Sequence, residues 1–184
     1  GYLDNSMALG SFRYYSEPLA PSSGMQSQLP ILLVEYTFRT RRDVEDYLSL
    51  LDQTDEYFAS LLVYEQEKAA AGLSMPASSL KSVRKQCDTI VTSEVLDSNS
   101  HFLQTTFAER LQPLLENGTI TAADAQKYTD TNDRLLRTVL LPAYVALGDG
   151  LLLLEDPAVP LTGLAAKPQG KEYYEALLLS ETGS

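Results

Sequence analysis

Histidine and cysteine, the side chains that most often carry general-base, nucleophilic and metal-binding chemistry, occur once each among the 184 residues. His101 follows a polar turn and precedes an apolar helical pattern, so we expect it to cap a helix or to lie in solvent. Cys87 lies on an apolar helical stripe, where cysteine packs as a small core residue. There is no Gly-x-Ser-x-Gly motif for a nucleophilic serine. We therefore predict no catalytic residue in this chain.

Carboxylates offer a second route to chemistry, because nine acidic residues fall between positions 35 and 67. Asp52, Asp55 and Glu56 form the tightest helical grouping, and carboxylates of this kind can hold a divalent cation. A solvated helix face explains them better, since the arginines of residues 39–42 are close enough to compensate part of the charge. The sequence contains no EF-hand loop, no phosphate-binding glycine loop and no His-Glu-x-x-His pair. We predict no metal ligand and no cofactor site in this chain.

The overall charge excludes further classes. With 25 acidic and 14 basic residues the net charge is -11, which repels nucleic acid and anionic membranes. The basic group of Lys81, Arg84 and Lys85 is too small to offset that field. A single cysteine cannot form an internal disulfide, a four-cysteine zinc site or an iron–sulfur cluster.

Two pairs of adjacent tyrosines, at 14–15 and at 173–174, are further candidates for a binding surface. Tyrosine combines an apolar ring with a polar tip, so such pairs suit either packing between helices or a wall that faces a ligand. Both interpretations are open at this point.

The composition predicts an all-α fold. Leucine and alanine together number 49 against 12 for isoleucine and valine, and unbranched side chains favour helix over strand. We expect four or five mostly antiparallel helices, two of them long, in a bundle over residues 30–156. Residues 1–29 are predicted to be an irregular entry segment, and residues 157–184 an irregular segment plus a short helix leading into a downstream domain.

Several helix ends are visible in the sequence. Thr40 with Asp43 forms an N-cap pattern, and the helix that follows is either one long helix or two joined near residues 52–54. Gly72 has the pattern of a glycine that closes a helix. The longest helix is expected to start near Thr121 and to bend at Pro142.

The most apolar stretch, residues 138–154, is interrupted by a proline, an aspartate and two glycines. A bilayer span needs about 20 apolar residues with few breaks. We interpret this stretch as a buried core helix and predict no membrane-spanning segment.

The sequence resembles the bacterial "domain of unknown function 885" family. The resemblance includes a Pro-Ala-Tyr element at 142–144 and a Gly-x-x-Tyr-Tyr element at 170–174 that precedes a leucine pair. The segments that carry it are, in chain order, 24–30, 35–38, 43–51, 72–76, 135–144, 163–164 and 170–178. The order and spacing of these segments along the chain carry the resemblance to the family.

This resemblance implies a helix-rich, zincin-like bacterial protein, of a kind described as a lipoprotein or as peptidase-like and exposed at the cell surface. In such proteins a His-Glu-x-x-x-x-Gly-His type motif on a later helix supplies the zinc ligands and the general base. The present sequence stops before that region, so no catalytic or metal residue transfers to it. Zinc and catalysis would belong to the full-length parent, with the downstream half as partner and a peptide as substrate.

We therefore expect a non-catalytic N-terminal domain that forms one wall of a substrate cleft, with Tyr173 and Tyr174 as the substrate-facing residues. The alternative is a helical interaction module, without enzymatic activity, of a surface lipoprotein. The presence or absence of a His-Glu zinc motif downstream distinguishes the two hypotheses.

Overall fold

A computed structural model describes residues 12–154 and 163–182, and within these ranges the chain is all-helical and has no strand. The predicted fold class is confirmed, but the predicted number of helices is too low, since seven helices have eleven or more residues. The helices are α1 (Met25–Glu35), α2 (Arg41–Asp52), α3 (Thr54–Ala70), α4 (Ala77–Ile90), the short α5 (Ser93–Asp97), α6 (Phe102–Glu116), α7 (Ala122–Leu152) and α8 (Gly170–Thr182). Single 3-10 turns lie at Arg13–Tyr15 and Leu164–Ala166.

The helix α1 begins at Met25, inside the segment predicted to be irregular, and it continues through Pro30. A proline inside a helix lacks the N–H that would bond to the carbonyl four residues earlier, here that of Gln26. The hydroxyl of Tyr144 donates a hydrogen bond of 2.7 Å to this Gln26 carbonyl. A contact from a residue 118 positions away therefore satisfies the group that Pro30 leaves free.

The predicted ends of the next two helices are confirmed. Thr40 and Asp43 form a capping box at the start of α2, and the chain breaks into two helices at Gln53 rather than forming one. At the end of α3, Gly72 has a φ of +76°, and the N–H of Leu73 bonds to the Lys68 carbonyl at 3.0 Å. This glycine conformation turns the chain away from α3 toward α4.

The 31-residue helix α7 lies at the centre of the fold, where its first half packs on α2 and α6 and its second half on α3 and α4. Five residues, Leu136–Leu140, form a π-helical turn directly before Pro142, and the Leu141 N–H bonds to the carbonyl of Leu136, five residues back. The helix thus carries a π turn directly before Pro142, and the predicted bend at this proline stays a prediction. The helix is long and apolar enough to cross a bilayer, and half of its most apolar window is buried within this fold.

Two glycines near the end of α7 differ in how closely their neighbours approach. A Cβ atom on Gly150 would lie 2.3 Å from a methyl carbon of Leu62 on α3, which is a clash. A Cβ atom on Gly148 would lie 3.6 Å from the Cβ of Cys87 on α4, an ordinary contact. An alanine at 150 therefore requires the Leu62 side chain to move, whereas an alanine at 148 fits without a shift.

This difference predicts opposite effects for the same substitution. Gly148→Ala should raise the free energy of unfolding by about 0.5–1 kcal/mol, because alanine loses less conformational entropy in a helix. Gly150→Ala should lower it by about 1 kcal/mol or more, since Leu62 must move to avoid overpacking. Urea denaturation of both variants measures the two values, and effects of equal sign would contradict the packing argument.

Candidate functional site

The candidate site is a recess of about 400 Å³ where the first described residues, the end of α3 and the start of α8 meet. Tyrosines from both predicted pairs line it. The lining residues are Tyr14, Tyr15, Ser16, Glu17, Lys68, Leu73, Leu164, Lys167 and Tyr173. Three of these nine residues are tyrosines, and its charged groups are two lysines and one glutamate.

A stacked pair of tyrosines joins α8 to the first segment. The rings of Tyr15 and Tyr173 lie 4.2 Å apart at an angle of 22°, and Phe12 contacts Tyr173 edge-on at 5.5 Å. The hydroxyl of Tyr15 donates to the carbonyl of Pro168. Burial, with a smaller contribution from the Glu172 charge, raises the pKa of Tyr15, so its hydroxyl stays protonated and keeps this bond.

A second set of contacts fixes the same segment to α3. The ring of Tyr14 lies 5.9 Å from that of Tyr64, and the Tyr64 hydroxyl donates to the Arg13 carbonyl at 2.5 Å. The side chains of Arg13 and Tyr14 both donate to Glu67, at 3.1 and 3.3 Å. Most of the residues that line the recess lie in turns, and these contacts hold those turns against α3 and α8.

Beneath the aromatic wall lies a buried ion pair between Glu65 and Lys68, each about 2% exposed. The Lys68 Nζ and Glu65 Oε1 atoms are 3.6 Å apart, and Oε1 accepts no hydrogen bond from the residues that the structure describes. Burial raises the pKa of Glu65, while the Lys68 charge acts in the opposite direction. Buried charges with incomplete hydrogen bonding are costly in a purely structural role and are common at functional sites.

The sequence analysis did not identify Glu65 and Lys68, although a signal for them exists. The buried positions of α3 follow a spacing of four and three residues, which places both side chains on the apolar stripe after Phe58 and Leu61. Chemically, Lys68 offers N–H donors to an acceptor in the recess. Among its described lining residues the recess has no histidine or cysteine to act as a base or nucleophile.

The two predicted substrate-facing residues have different positions. Tyr173 packs against Tyr15 and lines the recess. Tyr174 is 51% exposed and lies outside the recess, on the outer face of α8 with Leu178. The structure therefore brings Tyr14, Tyr15 and Tyr173 together and leaves Tyr174 accessible to a partner or ligand.

His101 is the N-cap of α6, so the first of its two predicted roles, helix capping, is confirmed. Its side chain is buried and does not lie in solvent. Its Nδ1 atom accepts a hydrogen bond from the Leu103 N–H at 3.3 Å, so Nε2 carries the proton and donates to the Ile90 carbonyl at 2.9 Å. Burial lowers the pKa of His101, although the bond to Ile90 opposes this. Both ring nitrogens are thus engaged in capping.

Cys87 is buried in the core between α4 and α7, as predicted, and burial raises the pKa of its thiol to about 12. The thiol is therefore protonated at neutral pH and is a poor nucleophile. Across residues 12–154 and 163–182, no three His, Cys, Asp or Glu side chains lie close enough to hold a metal ion.

The acidic group of Asp52, Asp55 and Glu56 lies on an exposed helix face, as expected. The nearby arginines make other pairs, however. Arg41 bonds to Asp124 at 2.7 Å, and Arg42 pairs with a carboxylate one turn further along α2. Arg41 thus joins α2 to α7 and Arg42 neutralises a carboxylate of α2 itself, while the predicted partial compensation of Asp52, Asp55 and Glu56 stays a prediction.

Comparison with known proteins gives the family. The sequence model of a bacterial protein family of unknown function, DUF885, matches residues 2–184. The chain belongs to the DUF885 family. No curated protein matches it at the significance required. Two of the segments that resemble DUF885 proteins are in contact in the fold. The hydroxyl of Tyr144, in the Pro-Ala-Tyr element, donates to the carbonyl of Gln26, in segment 24–30.

A solved structure has the same fold. The crystal structure of the "putative lipoprotein from Colwellia psychrerythraea" superposes with a TM-score of 0.77 at 18% sequence identity. The match covers 91% of the present chain and 28% of the Colwellia protein. The DUF885 chain described here thus spans about a quarter of the length of that protein, and at this identity the likeness establishes the fold alone.

The neutral state of His101 predicts a dependence of stability on pH. An unfolded histidine binds a proton near pH 6.5, whereas the folded side chain binds it only at lower pH. The contribution of His101 is therefore present above pH 6.5 and is lost progressively as the pH falls below that value.

The control is His101→Asn, which keeps an N-cap oxygen but does not titrate. Urea denaturation between pH 7.5 and 5 should show a steeper loss of stability for the wild type than for this variant. Identical slopes would mean that His101 does not titrate with folding.

Proposed function

We propose that the chain is the non-catalytic N-terminal helical part of a longer, zinc metallopeptidase-like DUF885 protein, and that it forms part of the wall of a peptide-binding cleft. Two findings support the view that the chain is part of a longer DUF885 protein: it belongs to the family, and it covers 28% of the Colwellia protein. The peptidase class comes from the resemblance to zincin-like members. A location at the cell surface, as a lipoprotein, is part of the same proposal and is supported by the description of the Colwellia protein.

The observation that carries the wall hypothesis is the two-faced character of α8. Its inner face is fixed by the stack of Tyr173 on Tyr15, and its outer face presents Tyr174 and Leu178, both exposed. Peptide-binding walls typically combine exposed aromatic or apolar side chains with a rigid supporting element. The recess beside this stack, with Lys68 at its floor, adds a donor for a substrate carbonyl or carboxylate.

The described residues do not fit a zinc site. The Nδ1 atom of His101 caps α6 and its Nε2 atom donates to the Ile90 carbonyl at the end of α4, and the thiol of Cys87 is buried and protonated. Zinc requires deprotonated, accessible ligands that converge on one point. We therefore assign zinc ligands and the general base to the remainder of the parent protein.

Metal analysis tests the non-catalytic assignment. The purified 184-residue chain, dialysed against zinc and then against buffer, should retain far less than one zinc per chain by mass spectrometry. It should also release no product from a mixture of unstructured peptides. Stoichiometric zinc or measurable turnover in this chain would refute the assignment.

The wall hypothesis is tested in the full-length parent with Tyr174→Ala. Loss of an exposed ring that contacts peptide should raise KM about 2- to 10-fold with kcat nearly unchanged, since the ring contributes binding and no chemistry. Tyr174→Phe should retain the wild-type KM, and Val63→Ala, at an equally exposed residue on α3, serves as the control. An unchanged KM in Tyr174→Ala would overturn the wall hypothesis.

A second candidate is a helical interaction module without enzymatic activity. The exposed apolar residues around α1, such as Ile31 and Leu32, favour a role in protein contact. The sequence of the parent gene separates the two proposals. A downstream His-Glu zinc motif supports the peptidase, and its absence supports the interaction module.

A further inference from the structure

The helix α1 has a polar first turn, but its residues 29–34 are all apolar, and Glu35 at its last position is its single charged residue. Its inner side is buried through Pro30 and Leu33, yet Leu32 is 53% exposed and Ile31 nearly as much. Surface helices normally turn a polar face to water. On α1 the outward side chains of Ile31 and Leu32 are apolar, and no other residue in 12–154 or 163–182 buries them.

Two grooves run along either side of α1. One, of about 360 Å³, lies between α1, α4 and the start of α6. The other, of about 550 Å³, lies between α1 and the junction of α2 with α3. We define the α1 surface as the exposed side chains along these grooves, which are Ile31, Leu32, Leu50, Tyr57 and Phe102.

This concentration is more than the usual scatter of surface apolar residues. Five of the thirteen large apolar side chains exposed in residues 12–154 and 163–182 lie on the α1 surface. Isolated exposed apolar residues are ordinary, but a contiguous group beside grooves marks an interaction site.

The polar groups in the grooves indicate the chemistry of the occupant. The charged residues among the lining side chains are Glu35 and Glu56, and neither groove is lined by lysine or arginine. The hydroxyl of Thr54, in the larger groove, is buried and has no hydrogen-bond partner in the part of the chain that the structure describes. A matching segment would carry an apolar stripe with basic residues at its margin, and it would offer a hydrogen-bonding group to Thr54.

We propose that the α1 surface is the docking site for the remainder of the parent chain, through an amphipathic segment of that kind. The inference rests on the part of the proposed function that makes this chain the N-terminal portion of a longer protein, and it is independent of zinc or peptidase activity. The Colwellia protein supports it, because about 70% of its length lies outside the matched region. A covalently tethered segment binds at high effective concentration, so grooves of moderate size suffice.

A second copy of this chain fits the α1 surface less well. Two such surfaces facing each other would bring Glu35 and Glu56 of both copies together, and each copy carries a net charge of -11. Like charges at an interface cost affinity and slow association. A downstream segment with basic residues at its margin would not be repelled by Glu35 and Glu56.

Hydrogen exchange measured by mass spectrometry tests the docking. Amides of α1 should exchange about tenfold or more slowly in the full-length parent than in the 184-residue chain, because docking protects the helix from local opening. Leu32→Lys in the parent should restore the faster exchange. The same substitution in the 184-residue chain should leave its urea midpoint unchanged, since Leu32 is already half exposed there.

Val63→Lys is the matched control, because Val63 is 52% exposed on α3 and lies outside both grooves. Equal exchange rates of the α1 amides in the parent and in the 184-residue chain would overturn the proposal. It would also be overturned if Val63→Lys accelerated α1 exchange in the parent as much as Leu32→Lys does. Protection of α1 that rises with concentration in the 184-residue chain would instead identify a second copy as the occupant. Slow α1 exchange in a parent without zinc would leave the docking intact and refute only the peptidase assignment.

Discussion

The hydrogen bond from the Tyr144 hydroxyl to the Gln26 carbonyl is the contact on which the arrangement of the helices depends most. Pro30 leaves that carbonyl without its helical partner, and a buried, unpaired carbonyl costs about 1–3 kcal/mol. Tyr144 lies on the central helix α7, packs edge-on against Phe58 at 4.8 Å and is almost fully buried. One side chain therefore allows α1 to continue past its proline and fixes it against α7 and α3 together.

The Gln26 side chain extends this connection to the rest of the fold. Its amide donates to the Ala20 carbonyl at 2.6 Å and to Gln86 on α4 at 2.8 Å, and Gln86 in turn donates to the Pro21 carbonyl. With the inner side of α1 held in this way, its outer apolar side must face away from the core. The α1 surface is thus a consequence of how the helix is anchored.

The chain uses its chemically versatile side chains for structure. His101 caps α6, Cys87 fills the core, and the guanidinium of Arg110 lies 4.5 Å above the Phe38 ring while donating to the carbonyls of Leu33 and Tyr36 at the end of α1. The buried Glu65–Lys68 pair beside the tyrosine recess has no comparable set of hydrogen bonds to residues 12–154 or 163–182. The proposed role in binding therefore belongs to the exposed face of α8 with Tyr174 and to the recess beside it, rather than to any of the single reactive residues.

The sequence alone determined the all-α class and the helix ends at Thr40, Gly72 and Thr121, because caps and composition depend on residues within one turn of each other. It also identified Tyr173, but not the Tyr15 stack or the Glu65–Lys68 pair that completes the candidate site. Only the tertiary structure decided those features, along with the course of α1 through Pro30. The physical reason is that contacts with residues distant in sequence determine these features, and a local sequence pattern does not encode such contacts. They determine whether Glu65 and Lys68 are buried, which ring Tyr173 stacks on, and which group bonds to the carbonyl that Pro30 leaves free.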